Sequence, residues 1–325
     1  MSNPSTTLLL LALLCVSAVA ATRTKLNSIN NLDDGICKSM VETKGYTCQE
    51  HKITTADGYI LGLQRIPNGR SGNETADKLP VLLQHGVFLD ASSWLLNPPD
   101  QALPFILADN GFDAYWDWSW DELVAYDLPA SFQYVNNQTG HKLHYVGHSL
   151  GTLTALAAFS QEKLLNLLRS AALLSPVAYL GPNCCLNCSS IDALVEHDPQ
   201  PTATKNLIHL SQSKPLSFPV VRKGTVEMYD YVLEDTNIKH YKKPTPPVYN
   251  MANIPKDVPL FFSHGGRDSI ADINDVGILL DKLRDHDRDK LVVQYREEYA
   301  HADFIMSVNA NQVVYGPLLA FFRLH

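Results

Sequence analysis

The chain is short of positive charge. Its 26 Lys and Arg stand against 34 Asp and Glu, a formal net charge of −8. No basic stripe breaks that balance, so the electrostatic footprint that nucleic-acid binding requires is missing. Long apolar runs are missing as well. The one candidate, Leu8 to Val16, is too short to span a bilayer. There are no internal repeats, and no low-complexity tract beyond the Pro-rich Lys243 to Val248. Metal-ligand spacing is also lacking. Cys185 and Cys188 form a C-x-x-C, but no second cysteine pair or nearby histidine set completes a zinc site. Nor does a strand-to-helix turn carry that pair, as a redox site would need. No metal and no cofactor are expected.

What is present fits one large domain: 325 residues, 45% hydrophobic, too apolar for disorder and long enough to bury a sizeable core. The 12 histidines can add up to 12 positive charges below neutral pH, so the net charge can cross zero in an acidic compartment. Residues 1–20 read as a signal peptide. Leu8 to Val16 is the apolar core and Ala18-Val19-Ala20 the small-residue cleavage pattern, although Met1 to Thr7 holds no Lys or Arg. A mature chain of 21–325 is expected in the secretory pathway, extracellular or in a vacuolar or lysosome-like compartment, with no transmembrane segment.

Export permits disulfides. Cys37 and Cys48, which flank a short polar segment, are the expected pair. Cys184, Cys185 and Cys188 sit together and cannot all pair. Asn73, Asn137 and Asn187 head N-x-S/T sequons and are glycosylation candidates, Asn73 in an evident surface loop.

The chain is organised around Lys142 to Gly151. An apolar strand pattern runs into Gly147-His148-Ser149-Leu150-Gly151, and Thr152 to Leu168 follows with helical spacing. Strand, sharp turn and helix are the setting in which Gly-X-Ser-X-Gly presents a nucleophile. Around it, His51 to Thr55 and Tyr59 to Ile66 predict a hairpin across Asp57-Gly58. Pro80 to Gln84, Ala171 to Ser175, Val258 to His264 and Lys290 to Arg296 predict strands. Ala102 to Asn110, Trp120 to Asn137, Asp272 to Arg284 and Val308 to Arg323 predict helices. Pro129 interrupts the second of these and Gly316-Pro317 kinks the last. Alternating strands and helices imply an α/β fold, a mostly parallel sheet covered on both faces. Residues 181–249 depart from the alternation and read as a cap inserted over the catalytic edge.

A serine hydroxyl needs a base, and the base an orienting acid. The expected chain order is Ser, acid, His, with the last two on loops after later strands. Asp268 and His301 occupy such loops. Asp272, Asp275 and Asp303 compete as acids, the first two with helix-capping as the plainer role. His85, His148 and His264 compete as bases, with packing beside glycine turns as the plainer role. The backbone N–H groups of Leu150 and Val87 are the expected oxyanion donors.

These residues resemble the acid lipase family, the gastric and lysosomal lipases and their plant triacylglycerol lipase relatives. The matching stretches include Leu83-Gln84-His85-Gly86-Val87, Ser93-Trp94-Leu95-Leu96-Asn97-Pro98-Pro99, Ala125-Tyr126-Asp127-Leu128-Pro129-Ala130, Leu143 to Ser149, and Tyr299-Ala300-His301-Ala302-Asp303-Phe304. The resemblance implies an α/β-hydrolase fold and hydrolysis of neutral-lipid esters without a cofactor. It carries the nucleophile to Ser149, the acid to Asp268, the base to His301 and the oxyanion donors to Val87 and Leu150. Three departures stand out. After Gly111-Phe112-Asp113 the family's next strand and Asn-x-Arg-Gly loop are expected to be missing. After Leu180 most of the cap and lid is absent, and Lys214 to Pro219 is extra. Junctions this clean resemble exon skipping or a gene-model error. The alternative expectation is therefore an impaired variant or a lipid-binding pseudoenzyme that has lost a core strand. Acyl transfer to an alcohol is a third possibility that the triad does not separate from hydrolysis.

Overall fold

The computed structural model describes residues 35–71, 77–117, 123–179, 209, 212 and 225–325. The expected signal peptide, the sequons at Asn73 and Asn187, and Cys184, Cys185 and Cys188 lie outside the described residues.

Among the described residues, eight strands form one sheet: β1 (Gln49–Thr54), β2 (Ile60–Ile66), β3 (Pro80–Gln84), β4 (Asp113–Asp117), β5 (Leu143–His148), β6 (Leu168–Leu174), β9 (Leu260–Gly265) and β10 (Leu291–Arg296). Their order is β1-β2-β4-β3-β5-β6-β9-β10. The β1–β2 hairpin is antiparallel and β2 runs antiparallel to β4. All later pairings are parallel. The hairpin turns at Gly58, whose φ of +94° only glycine adopts without strain.

The strand residues alternate between two buried apolar layers, as a pleated sheet covered on both sides requires. Leu82, Tyr145, Ala171, Leu173 and Phe262 pack beneath α2 (Leu128–Thr139) and α3 (Leu150–Ser160). Val81, Leu83, Val146, Ala172 and Phe261 pack beneath α1 (Leu103–Asp109) and the C-terminal helix Gly316–Leu324. Every residue of α3 is buried, as expected of a helix that is apolar all round. The two expected proline interruptions fall where a π turn gives way to α-helix. Pro129 is the second residue of α2, after the π turn Leu123–Asp127, and Pro317 the second of Gly316–Leu324, after the π turn Asn311–Tyr315. Helix α3 stops at Ser160, earlier than its spacing predicts, and Leu164 turns the chain with φ +68°.

One expectation is corrected outright. The strand expected to be missing after Gly111-Phe112-Asp113 is there: Asp113–Asp117 is β4. It runs parallel to β3 from Pro80↔Asp113 to Gln84↔Asp117 and antiparallel to β2 from Gln64↔Trp116 to Ile66↔Ala114. Five residues suffice because a ladder needs extended backbone and apolar side chains on alternate faces, and both Ala114 and Tyr115 are fully buried. Arg65 offsets the buried charge of Asp113, donating to both carboxylate oxygens at 2.8 to 3.2 Å, and Tyr115 Oη donates to the same group at 3.2 Å. The alternative that rested on a lost core strand loses its basis.

Within the expected cap, residues 225–249 carry a two-stranded antiparallel ribbon, β7 (Val226–Glu227) with β8 (Val248–Tyr249), and α4 (Glu234–Tyr241). At the other end of the chain, Cys37 and Cys48 are disulfide-bonded, Cα to Cα 5.3 Å, as expected.

Candidate active site

Strand β5 ends at His148 and α3 begins at Leu150, which leaves Ser149 alone in the turn. Its φ of +55° and ψ of −117° lie where non-glycine residues are rarely found. The surrounding glycines make room for that conformation. A Cβ on Gly147 would fall 2.8 Å from the Gly151 carbonyl carbon, and one on Gly151 would fall 2.5 Å from Gln84 O. The turn is tied down further on. Thr152 Oγ1 donates to Ser149 O at 2.5 Å and accepts from Val177 N–H at 2.8 Å, while Tyr145 Oη donates to Gly151 O at 2.7 Å.

The residues predicted from sequence converge on this turn. His301, on the loop after β10, places Nε2 2.7 Å from Ser149 Oγ. Its Nδ1 lies 3.0 Å from each carboxylate oxygen of Asp268, on the loop after β9. Asp268 Oδ1 also accepts from the N–H groups of Ile270 and Ala271 at 2.9 and 2.8 Å. Burial pushes the Asp268 carboxyl upward. The bond and charge of His301, with those two N–H groups, outweigh burial and hold it below the usual carboxylate range. Asp268 is therefore an anion aimed at the imidazole.

The oxyanion candidates border the same turn. Leu150 is the first residue of α3, so its N–H has no carbonyl one turn back in the helix. Val87 sits on the loop after β3, where the neighbouring Gly86 comes so close that a Cβ on it would lie 3.0 Å from Ser149 Cβ.

The competing residues are used elsewhere. Asp272 caps the helix α5 (Ile273–Lys282), accepting from Asn274 and Asp275 N–H. Asp275 is buried in that helix. Asp303 accepts from Ala300 N–H at 2.6 Å. His85 Nδ1 donates to Gly86 O at 2.8 Å, and burial lowers its pKa to about 4. His264 is buried with its ring 5.1 Å from Tyr295. His148 is different. Its Nε2 lies 2.9 Å from the carbonyl oxygen of His301, which Ser175 Oγ also approaches, at 3.0 Å. The sequence pattern points to packing for His148 and does not single out Ser175. Their placement is the available signal: His148 ends the strand that leads into Ser149, and Ser175 directly follows the neighbouring strand.

A family model described as a partial alpha/beta-hydrolase lipase region matches residues 37–98. Triacylglycerol lipase 2 of Arabidopsis thaliana is 43% identical over 373 residues, covering 89% of this chain and 88% of the relative. Gastric triacylglycerol lipase of Rattus norvegicus is 30% identical over 367 residues, covering 86% and 90%.

The chain belongs to the acid lipase family.

Solved structures agree on the α/β-hydrolase fold of this family member. A Pyrococcus furiosus esterase aligns with TM-score 0.55 at 15% identity, covering 87% of this chain and 92% of that one. A lipase in open form aligns with TM-score 0.54 at 14% identity, covering 86% and 99%. The match to the Arabidopsis relative spans 373 positions while this acid lipase family chain has 325 residues. That relative therefore carries residues inside the matched span that have no counterpart here.

Proposed function

We propose that the chain is a serine esterase that hydrolyses acyl esters of neutral lipids, triacylglycerol or related esters, through Ser149, His301 and Asp268. The observation that carries the proposal is the unbroken contact from hydroxyl to imidazole to carboxylate, 2.7 Å and then 3.0 Å. Ser149 Oγ attacks the ester carbonyl as His301 Nε2 takes its proton. Asp268 accepts from Nδ1–H and stabilises the imidazolium. The developing oxyanion turns toward the N–H groups of Leu150 and Val87. His301 then returns the proton to the departing alkoxide. Water, deprotonated by the same imidazole, releases the fatty acid and regenerates the serine. No step calls for a metal or redox group.

The family relatives named triacylglycerol lipases support lipid esters as the substrate class. The residues those relatives have in excess, together with the abrupt junction after Leu180, favour a shortened lid within 181–249. A shortened lid shifts preference toward shorter, more soluble esters. The Cys37–Cys48 bridge supports folding in an oxidising compartment, and with residues 1–20 a secretory route to the exterior or a vacuole. Asn137 is exposed on α2 and open to glycosylation, its side chain accepting from Gln133 Nε2 at 2.7 Å.

The test compares wild type with Ser149→Ala on a short-chain chromogenic ester and a long-chain triacylglycerol emulsion. Activity and covalent labelling by a fluorophosphonate should both vanish in the variant. Equal activity in both proteins overturns the assignment, and a strong long-chain preference overturns the shortened-lid reading.

A further inference from the structure

The base reaches a long way to its nucleophile. His301 follows β10, while Ser149 follows β5, with β6 and β9 between them. At about 4.8 Å per strand the loop must carry the imidazole across roughly 14 Å of sheet edge. The root of the loop is tied near β9 and β10, where Arg267 N–H donates to Tyr299 O at 3.0 Å and Asp303 accepts from Ala300 N–H. Its tip is tied by the two contacts at the His301 carbonyl, from His148 at the end of β5 and Ser175 just past β6. A carbonyl oxygen has two lone pairs and only accepts, so both are filled and the His148 proton sits on Nε2. Ser175 makes its bond from a φ of +50°, a backbone conformation unusual for serine.

We infer that His148 is a positioning residue that acts with Ser175, the two donors gripping the carbonyl of His301 and so registering its imidazole against Ser149. This rests on the proposed role of His301 as the base. Serine in place of His148 would not span the gap, and phenylalanine would fill it without a donor. The ring is also suited to its neighbours. It lies 5.1 Å from the His301 ring and faces Asp268 and His85. Burial, then the charge of His301, lower its pKa to about 3. His148 therefore stays neutral and adds no repulsion when His301 becomes an imidazolium.

The experiment compares His148→Phe, His148→Gln and Ser175→Ala with wild type. It follows kcat and KM on a soluble short-chain ester, the rate of fluorophosphonate labelling, and the low-field proton NMR signal of His301 Nδ1–H. His148→Phe should lose roughly 10- to 100-fold in kcat with KM within about twofold, because misplacement by an ångström costs on that order. His148→Gln, whose amide nitrogen donates at a similar reach, should recover most of the loss. Ser175→Ala should lose less than His148→Phe, and the double variant more than either. Wild-type kcat in His148→Phe, equal loss in Gln and Phe, or a loss confined to KM overturns the inference. Should His148→Phe not fold, an unchanged kcat in Ser175→Ala overturns it. The NMR signal separates this inference from the function it rests on. If the signal is sharp in wild type and broadens in the variants while wild type neither hydrolyses nor labels, the positioning role stands and the esterase reading falls. If it is unchanged in the variants, the positioning role falls whatever the activity.

Discussion

Gly86 faces Ser149 across the mouth of the site, its missing side chain replaced by the serine: a methyl group there would lie 3.0 Å from Ser149 Cβ and 3.4 Å from Oγ. Gly86→Ala should therefore displace either Ser149, the proposed nucleophile, or the N–H of Val87. We expect a loss of roughly 10²-fold in kcat, the size of one oxyanion donor, with little change in the unfolding midpoint. Unchanged kcat would count against Val87 as an oxyanion donor.

Asp268 is held as an anion by two backbone N–H groups as well as by His301. Asp268→Asn keeps the shape but turns an NH₂ or a neutral oxygen toward Nδ1, which disturbs the tautomer. Hydrolysis should fall about 10⁴-fold with the fold intact. Steady-state kinetics beside circular dichroism checks this, and a loss below tenfold would make Asp268 a structural residue only.

The Arg65–Asp113 pair anchors β4 between β2 and β3. Asp113→Ala leaves a half-buried guanidinium and the Tyr115 hydroxyl without their acceptor. Urea denaturation should show a loss of about 3–5 kcal/mol. A loss under about 1 kcal/mol would mean that backbone pairing alone holds the strand.

Three buried histidines make stability depend on pH. Burial lowers His85 to about 4 and His144 and His148 to about 3, all from an ordinary 6.5. Between those values the unfolded chain binds protons that the folded chain refuses. Stability then falls as pH drops below about 6.5, by up to about 1.4 kcal/mol per histidine per unit, and levels off only near the folded values. Asp268 acts lower down: its contribution, present above the usual carboxylate range, is lost only as pH falls through its depressed value. Urea midpoints at about pH 7.5, 6 and 5 should therefore decline steadily. Flat midpoints would show that the three rings take up protons without unfolding.

The parts of this fold that were legible in the sequence are those set by local chemistry. Pro80 to Gln84 is a strand to the residue, and Asp272 caps its helix as its type predicts. That Ser149, Asp268 and His301 come together was legible because each sits where a parallel strand ends, and strand ends share one edge. Two things were not. Strand β4 reads Asp113-Ala114-Tyr115-Trp116-Asp117, without the apolar run that marks Pro80 to Gln84, and draws its order from β2 and β3, so its own pattern carries little signal. The grip of His148 and Ser175 on a carbonyl is a contact with backbone, which no side-chain motif encodes.

The slot between β2 and β3 holds its segment by backbone amides, a few apolar side chains and the Arg65–Asp113 pair at one end. That makes it indifferent to what the chain does once it leaves. A change in the chain beyond such a strand can leave the strand itself seated. For this scaffold, geometry constrains the interior of the sheet more tightly than its rim.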